Sequence, residues 1–339
     1  MLGAMPNRRT ALALTLSPLL AAAQPPRERM PPLRRVFPDE DTLELRWTDP
    51  ARGREIPLRL RLPPGSGPVP LVLFSHGLGG GLAAGSLWAQ AWAAAGIATL
   101  HLQHGGSDTG VLRQGLKALK QAASPEQLRA RVQDVKAVLD LLPEQQRHDE
   151  RLQRLRLDAL GMAGHSFGAH TTLALAGQRF RGRAMGADER LRAFAAFSPS
   201  PGTAGVAPAE SFGGIRKPML CLTGSLDGDP LGDGNNDARE TRGDWRRAVY
   251  AALPAGDKAE LWLDGADHMV FGGMDLQRLP TRLRERPAQA EAQTARHQAL
   301  IAAVTTDWWR AQLLGDAAAR ERLARPPASL GAQDEWRRG

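Results

Sequence analysis

Short, almost wholly apolar runs recur along the chain, and amphipathic stretches of helical length separate them. This alternation constrains the fold more than any other feature. Apolar strands joined through helices pair in parallel and need a helical layer on each face. Residues 71–75, 97–102, 158–163, 192–198, 217–223 and 259–263 read as buried strands. Residues 42–47 and 56–62 alternate apolar and polar positions, as half-exposed strands do. A helix is expected at 126–142, where Leu128, Val132, Val135, Val138 and Leu142 recur every three or four residues. Others are expected at 86–95, 170–176, 244–253 and 288–314. The implied fold class is α/β, with a mostly parallel central sheet. In such a sheet the ligand site lies beyond the carboxyl ends of the strands. Residues that carry chemistry are therefore expected just past those ends.

Four loops meet that condition. Gly164-His165-Ser166-Phe167-Gly168 follows one strand and opens an Ala-rich helix. Its small flanking residues permit a tight strand-to-helix turn that lifts a Ser hydroxyl above the sheet. His76-Gly77-Leu78-Gly79-Gly80-Gly81 follows another strand, and its glycines let backbone amides point inward. The amides of Leu78 and Phe167 are the candidate pair for an oxyanion hole. A phosphate-binding loop is the rival, but neither the Lys-Ser/Thr nor the dinucleotide spacing is present. The third loop, after residues 217–223, offers Asp227, with Asp229 as the alternative on the same rim. An acid there orients an imidazole and stabilises its cation. The fourth, Gly265-Ala266-Asp267-His268, offers His268 as general base. The order Ser166, Asp227, His268 is one in which such triads run along an α/β chain. His76, Gln103, His104 and His165 flank these positions and are expected to line the pocket. Asp227, Asp229, Asp233 and Asp237 lack the spacing of a calcium loop, so no metal is expected.

Four segments carry a family likeness: Phe74-Ser75-His76-Gly77-Leu78-Gly79-Gly80, Gln103-His104-Gly105-Gly106-Ser107-Asp108, Gly164-His165-Ser166-Phe167-Gly168-Ala169 and Gly265-Ala266-Asp267-His268-Met269. With them the chain, from about residue 70 to 314, resembles the α/β-hydrolase superfamily. Within it, the likeness is to the branch of predicted dienelactone hydrolases and platelet-activating-factor-acetylhydrolase-like esterases. The resemblance implies an α/β-hydrolase fold and a serine esterase working through an acyl-enzyme, with no cofactor. It places the nucleophile, acid and base on Ser166, Asp227 and His268, and the oxyanion amides on Leu78 and Phe167. Dienelactone hydrolases proper use a Cys nucleophile, where this chain has Ser. The expected substrates are short-chain or accessible esters. Polyesters or phospholipid acyl groups are alternatives on the same triad, and a peptidase or a non-catalytic binding protein are rivals of another class. Only about 18 residues join the strands at 192–198 and 217–223, too few for a large cap. The insert 109–124 is expected to form one wall of the site.

The ends of the chain read differently. Arg8-Arg9 precede an apolar run at 11–23, and Ala21-Ala22-Ala23 supplies a small-residue cleavage site. Residues 1–23 thus read as an export signal of the twin-arginine kind, which implies a periplasmic or secreted protein. The run is too short to cross a bilayer. Pro- and Arg-rich residues 24–40 read as an extended lead-in, 41–316 as the hydrolase domain, and 317–339 as a frayed surface tail. The net charge of +8 comes from 39 Arg and 5 Lys against 36 acids. No helix-turn-helix or zinc knuckle accompanies it, and one Tyr leaves few stacking platforms. A nucleic-acid partner is therefore not expected. The lone Cys221 excludes an internal disulfide and is read as core packing. Trp308 is expected to pack on the sheet, with Trp309 more exposed.

Overall fold

The computed structural model describes Met1 and residues 42–202, 205–232, 238–275 and 286–339. The expected export signal beyond Met1, the lead-in, Asp233 and Asp237 lie outside the described residues. The chain divides into two units, Met1–Val36 and Phe37–Gly339, and every strand among the described residues lies within the second.

The strands are β1 (Thr42–Asp49), β2 (Arg54–Arg61), β3 (Val69–Ser75), β4 (Ala98–Leu102), β5 (Leu155–His165), β6 (Arg179–Phe180), β7 (Arg183–Ala184), β8 (Leu191–Phe197), β9 (Met219–Leu226), β10 (Lys258–Asp267) and β11 (Glu335–Arg338). β6 and β7 pair only with each other. The others form one sheet in the order β1-β2-β4-β3-β5-β8-β9-β10-β11. The run from β4 to β10 is parallel, while β1, β2 and β11 join antiparallel at the edges. The central strands are mostly apolar because both faces are covered: every residue of β3 is buried. Helices Pro125–His148 and Phe167–Ala176 close one core. Helices Ser86–Ala94, Ala288–Leu313 and Ala317–Leu323 close the other.

The chain passes from β3 to β4 on one side, then returns past β3 to β5 on the other. Strand order therefore reverses between β3 and β5, which opens a crevice at their carboxyl ends. The loops that begin at His76 and Ser166 flank that crevice.

Three expectations need correction. Residues 244–253 do not form one helix. A tight 3-10 turn, Asp244–Arg247, leads into Ala248–Ala252 and points Arg246 inward, where backbone carbonyls of Asp227 and Gly228 accept its hydrogen bonds. Trp309 is as fully buried as Trp308. It lies over Gly161 of β5, where a Cβ would come within 2.7 Å of the indole. Residues 317–339 are not a frayed tail. Asp316 caps the helix Ala317–Leu323, and β11 then pairs along β10 from Ala259 to Trp262. The physical reason is the edge: without β11 the outer ladder of β10 would face solvent unpaired. Arg247 ties the two strands by bridging Glu260 and Glu335 at 2.9 and 2.8 Å. The Arg-rich stretch 151–157 is paired in part, with Arg151 on Asp149 and Arg156 on Asp158. Among the described residues, no helix is long and apolar enough to cross a membrane.

Candidate active site

Five strands of the sheet hand over to a polar residue at the position just past their carboxyl ends. These are His76 after β3, Ser166 after β5, Ser198 after β8, Asp227 after β9 and His268 after β10.

Ser166 has φ 56° and ψ −115°, a conformation that side-chain-bearing residues rarely adopt. Holding it costs about 1–3 kcal/mol, which the surrounding packing must offset. That packing is tight enough to require both flanking glycines. A Cβ at Gly164 would lie 2.3 Å from the Gly168 oxygen, and one at Gly168 would lie 1.9 Å from the Ser75 oxygen. The first turn of the Phe167–Ala176 helix is thus pressed against the end of β3. The Ser166 amide donates to the Phe197 oxygen at 2.9 Å, while its hydroxyl makes no hydrogen bond among the described residues.

Asp227 is fully buried and surrounded by donors. Its Oδ1 lies 2.8 Å from His268 Nδ1 and accepts from the Ser198 hydroxyl at 2.7 Å. Its Oδ2 accepts from the Thr223 hydroxyl at 2.8 Å, and Arg246 Nε stands 3.1 Å from Oδ1. Burial alone would raise this carboxyl. The Arg246 charge, with the His268 and Ser198 hydrogen bonds, outweighs burial and holds it at about 2. With an ionised acceptor there, the imidazole proton belongs on Nδ1, which leaves Nε2 as the acceptor. Ser198 completes the group from a second strained backbone, φ 55°, with its Oγ 2.9 Å from His268 Nδ1. Asp229 takes no part. It accepts from the Leu231 amide at 2.9 Å and so shapes its own turn.

The loops meet around Ser166. His165 Nε2 donates to the His268 oxygen at 3.0 Å, and the two rings lie 4.7 Å apart. A Cβ at Gly77 would stand 3.4 Å from the Ser166 Cβ, so the glycine loop after β3 passes beside the Ser. Among the described residues the amides of Leu78 and Phe167 donate to no protein acceptor. The arrangement thus offers a strained hydroxyl, an imidazole held by a carboxylate, and two unused amide donors at the crevice. Compared with models of known protein families and with curated proteins, the chain matches none.

Two expected pocket residues are not in a pocket. His76 and His104 are 1% and 0% exposed, and both brace the backbone from below. His104 Nδ1 donates to Asp134 Oδ2 at 3.0 Å, and its Nε2 accepts from the Ser75 hydroxyl at 3.0 Å. This second Ser–His–Asp set is sealed from solvent, so it cannot reach a substrate. Burial lowers His104 to about 4 and His76 well below the usual histidine range, and both are neutral. His165, also buried, packs on His268. Gln103 is half-buried. It lines a cleft of about 520 Å³ with Glu44, Leu45, Arg46, Pro57 and Leu82, and donates to Asp108 at 2.8 Å. The insert 109–124 folds as two short helices, Thr109–Leu112 and Leu116–Ala122, with Leu112 and Leu119 close over Gly79. Burial pushes the Cys221 thiol up, as befits a residue that only packs.

Ser198, Thr223 and Arg246 are site residues that the sequence pattern does not single out. Ser198 is legible by the same rule that finds Ser166, since it is the first residue past a parallel strand. The apolar run 192–198 instead absorbs it as the strand's last residue. Arg246 gives no signal, because its partners lie 18 to 48 residues away.

Proposed function

We propose that this chain is a serine carboxylic-ester hydrolase of the α/β-hydrolase superfamily. One observation carries the reading most. His268 is held by the buried Asp227 carboxylate at 2.8 Å and packs on His165, the residue before a Ser in a strained turn at the strand-order reversal. Strain of this kind concentrates at functional sites, and here both strained serines, Ser166 and Ser198, lie at the carboxyl ends of adjacent strands.

In this mechanism Ser166 Oγ attacks the ester carbonyl carbon, and His268 Nε2 takes the hydroxyl proton. The imidazolium that forms is stabilised by Asp227, itself kept ionised by Arg246. The carbonyl oxygen, now negative, is received by the amides of Leu78 and Phe167. The C–O bond to the leaving alcohol breaks as His268 returns the proton to that oxygen. Water then attacks the acyl-enzyme by the same steps and frees the acid and Ser166.

The absence of a large cap among the described residues supports the substrate class. Between β8 and β9 these residues carry one short helix, Pro208–Phe212, and two further short helices place Leu112 and Leu119 close over Gly79. A shallow cover of that kind suits short acyl esters and accessible ester groups. The proposal includes export, which rests on Arg8, Arg9 and the apolar run after them.

The test is a panel of p-nitrophenyl esters of graded acyl length, with a fluorophosphonate probe alongside. Wild type should show a short-acyl optimum and label at Ser166. Ser166→Ala should fold normally, fail to label, and lose about three or more orders of magnitude in kcat. Near-wild-type turnover by Ser166→Ala would sink the proposal.

A further inference from the structure

Helix Pro125–His148 buries a cation directly beneath the crevice. Arg131 is 0% exposed, and among the described residues no carboxylate pairs with it directly. An unpaired buried guanidinium is expensive, so the partners it does have are informative. Its Nη1 donates to the His76 oxygen at 2.7 Å, and its Nη2 lies 3.4 Å from the Gly77 oxygen. Its Nε donates to the Ser107 hydroxyl at 2.9 Å. Its planar head sits 4.4 Å from the centre of the Phe167 ring.

Two of these contacts fall on the Gly77–Leu78 peptide and on Phe167, which carry the oxyanion amides. The Gly77 carbonyl and the Leu78 N–H belong to one peptide unit. Three donors converge on that carbonyl: Arg131 Nη2, the Gly80 amide at 3.1 Å and His76 Nδ1 at 2.6 Å. Donors at the oxygen end of a peptide draw charge from its N–H end and strengthen that donor. They also fix the plane of the peptide, and so the direction of the Leu78 N–H. Phe167 is held from its side chain, where the guanidinium lies on its ring.

We propose that Arg131 is a positioning residue for the oxyanion hole, orienting and polarising the Gly77–Leu78 peptide while fixing Phe167 on the opposite side. The inference rests on the esterase reading and deepens it. The sealed Ser75–His104–Asp134 set belongs to the same support. The Ser75 hydroxyl is 3.4 Å from Arg131 Nη1, and His104 Nε2 accepts its proton. The ring of neutral acceptors also explains how the cation is tolerated. Burial lowers Arg131 to about 9, which leaves it protonated at neutral pH.

The experiment compares Arg131→Lys and Arg131→Met with wild type on p-nitrophenyl acetate and on its thionoester. A thionoester develops charge on sulfur, a poor hydrogen-bond acceptor, and so responds weakly to an oxyanion hole. The oxo-ester kcat should fall on the order of 10- to 100-fold, less than the ~10²–10³ of losing a donor outright. The thionoester kcat should fall only a few-fold, with KM for both little changed. The oxo/thiono ratio therefore drops. Equal losses on both substrates, or no loss in a folded variant, would overturn the inference. If both variants fail to fold, Ser107→Ala removes the Nε partner only and should lower the ratio by a smaller factor; an unchanged ratio there also overturns it. Ser166→Ala separates the two layers. Residual turnover in that variant sinks the esterase reading, whereas an inactive Ser166→Ala with an unchanged Arg131 ratio sinks this inference alone.

Discussion

Asp227 gathers four side-chain partners on two oxygens, so its removal should be felt twice. Asp227→Asn withdraws the charge that supports the His268 cation and lets the wrong ring tautomer form. We expect kcat to fall by about 10⁴. It also leaves Arg246, 2% exposed, without its anion, a loss of about 3–5 kcal/mol that urea denaturation would register. Asp229→Asn should change kcat by no more than a few-fold, since that carboxylate serves only its turn. Comparable losses in the two variants would mean that the acid has been assigned wrongly. The Asp227 carboxyl, held at about 2, lies below its unfolded value of about 3.9. Its stabilisation is present above pH ~4 and is lost as pH falls toward 2, so this group does not limit activity near neutrality. Ser198 allows a finer test, because it combines a charge-assisted hydrogen bond with φ 55°. Losing the hydroxyl should lower kcat about 10- to 100-fold in both Ser198→Ala and Ser198→Gly. The Gly variant should be the more stable by about 1 kcal/mol, because only glycine adopts that φ without strain. If Ala proves as stable as Gly, the backbone there is not strained.

At the scale of elements, the strands and the loops after them are legible for a physical reason. A strand covered on both faces must be apolar, and the tight turn after β5 admits only glycine at two positions. Both constraints are local and leave marks in the sequence. The helix Pro125–His148 is legible as an element but not in its role. Its periodic apolar face predicts packing, yet nothing local shows that Arg131 and Asp134 turn inward beneath a loop some 55 residues away. His104 illustrates the same limit. Its place after β4 suggests a pocket, while its burial depends on a partner 30 residues on. The C-terminal strand escapes a sequence reading because its pattern, Glu335-Trp336-Arg337-Arg338, is polar and short, as an edge strand should be. Its value is testable. Trp336 Nε1 donates to the Leu323 oxygen at 3.0 Å, so β11 also pins the helix before it. Truncation after residue 332 should lower stability by about 2–4 kcal/mol, from the lost aromatic packing and the Arg247–Glu335 pair. Esterase kcat should change little, because β11 lies at the sheet edge opposite β1, beyond β10, and supplies none of the site residues. Truncation that leaves the urea midpoint unchanged would show β11 to be decoration.

Across the whole molecule, burial of neutral histidines makes stability depend on pH in one direction. Burial holds His101 and His165 at about 3, His104, His170 and His297 at about 4, and His76 well below its usual range, against about 6.5 in an unfolded chain. Each is depressed on folding, so the unfolded chain takes up protons first as pH falls. Stability is therefore complete above pH ~6.5 and declines as pH drops toward the folded values. Each group contributes about 1.4 kcal/mol per pH unit in that window. Six such groups acting together would remove on the order of 10 kcal/mol between pH ~6.5 and ~5, comparable to the whole ~5–15 kcal/mol of an ordinary domain. The urea midpoint should accordingly fall steeply over that interval. His101 offers the cleanest control. It packs at a tilt against Phe74 with ring centroids 5.5 Å apart, and its Nδ1 has no partner among the described residues. His101→Phe should keep the packing, remove one titrating group, and flatten the slope by about a sixth without altering kcat at pH ~7.5. A midpoint that stays level from pH ~7 to ~5 would contradict the assignment. So would a His101→Phe slope equal to wild type. The same curve governs how the pH profile of ester hydrolysis is read, since a fall in rate at low pH reports catalysis only after the unfolded fraction at each pH has been measured and divided out.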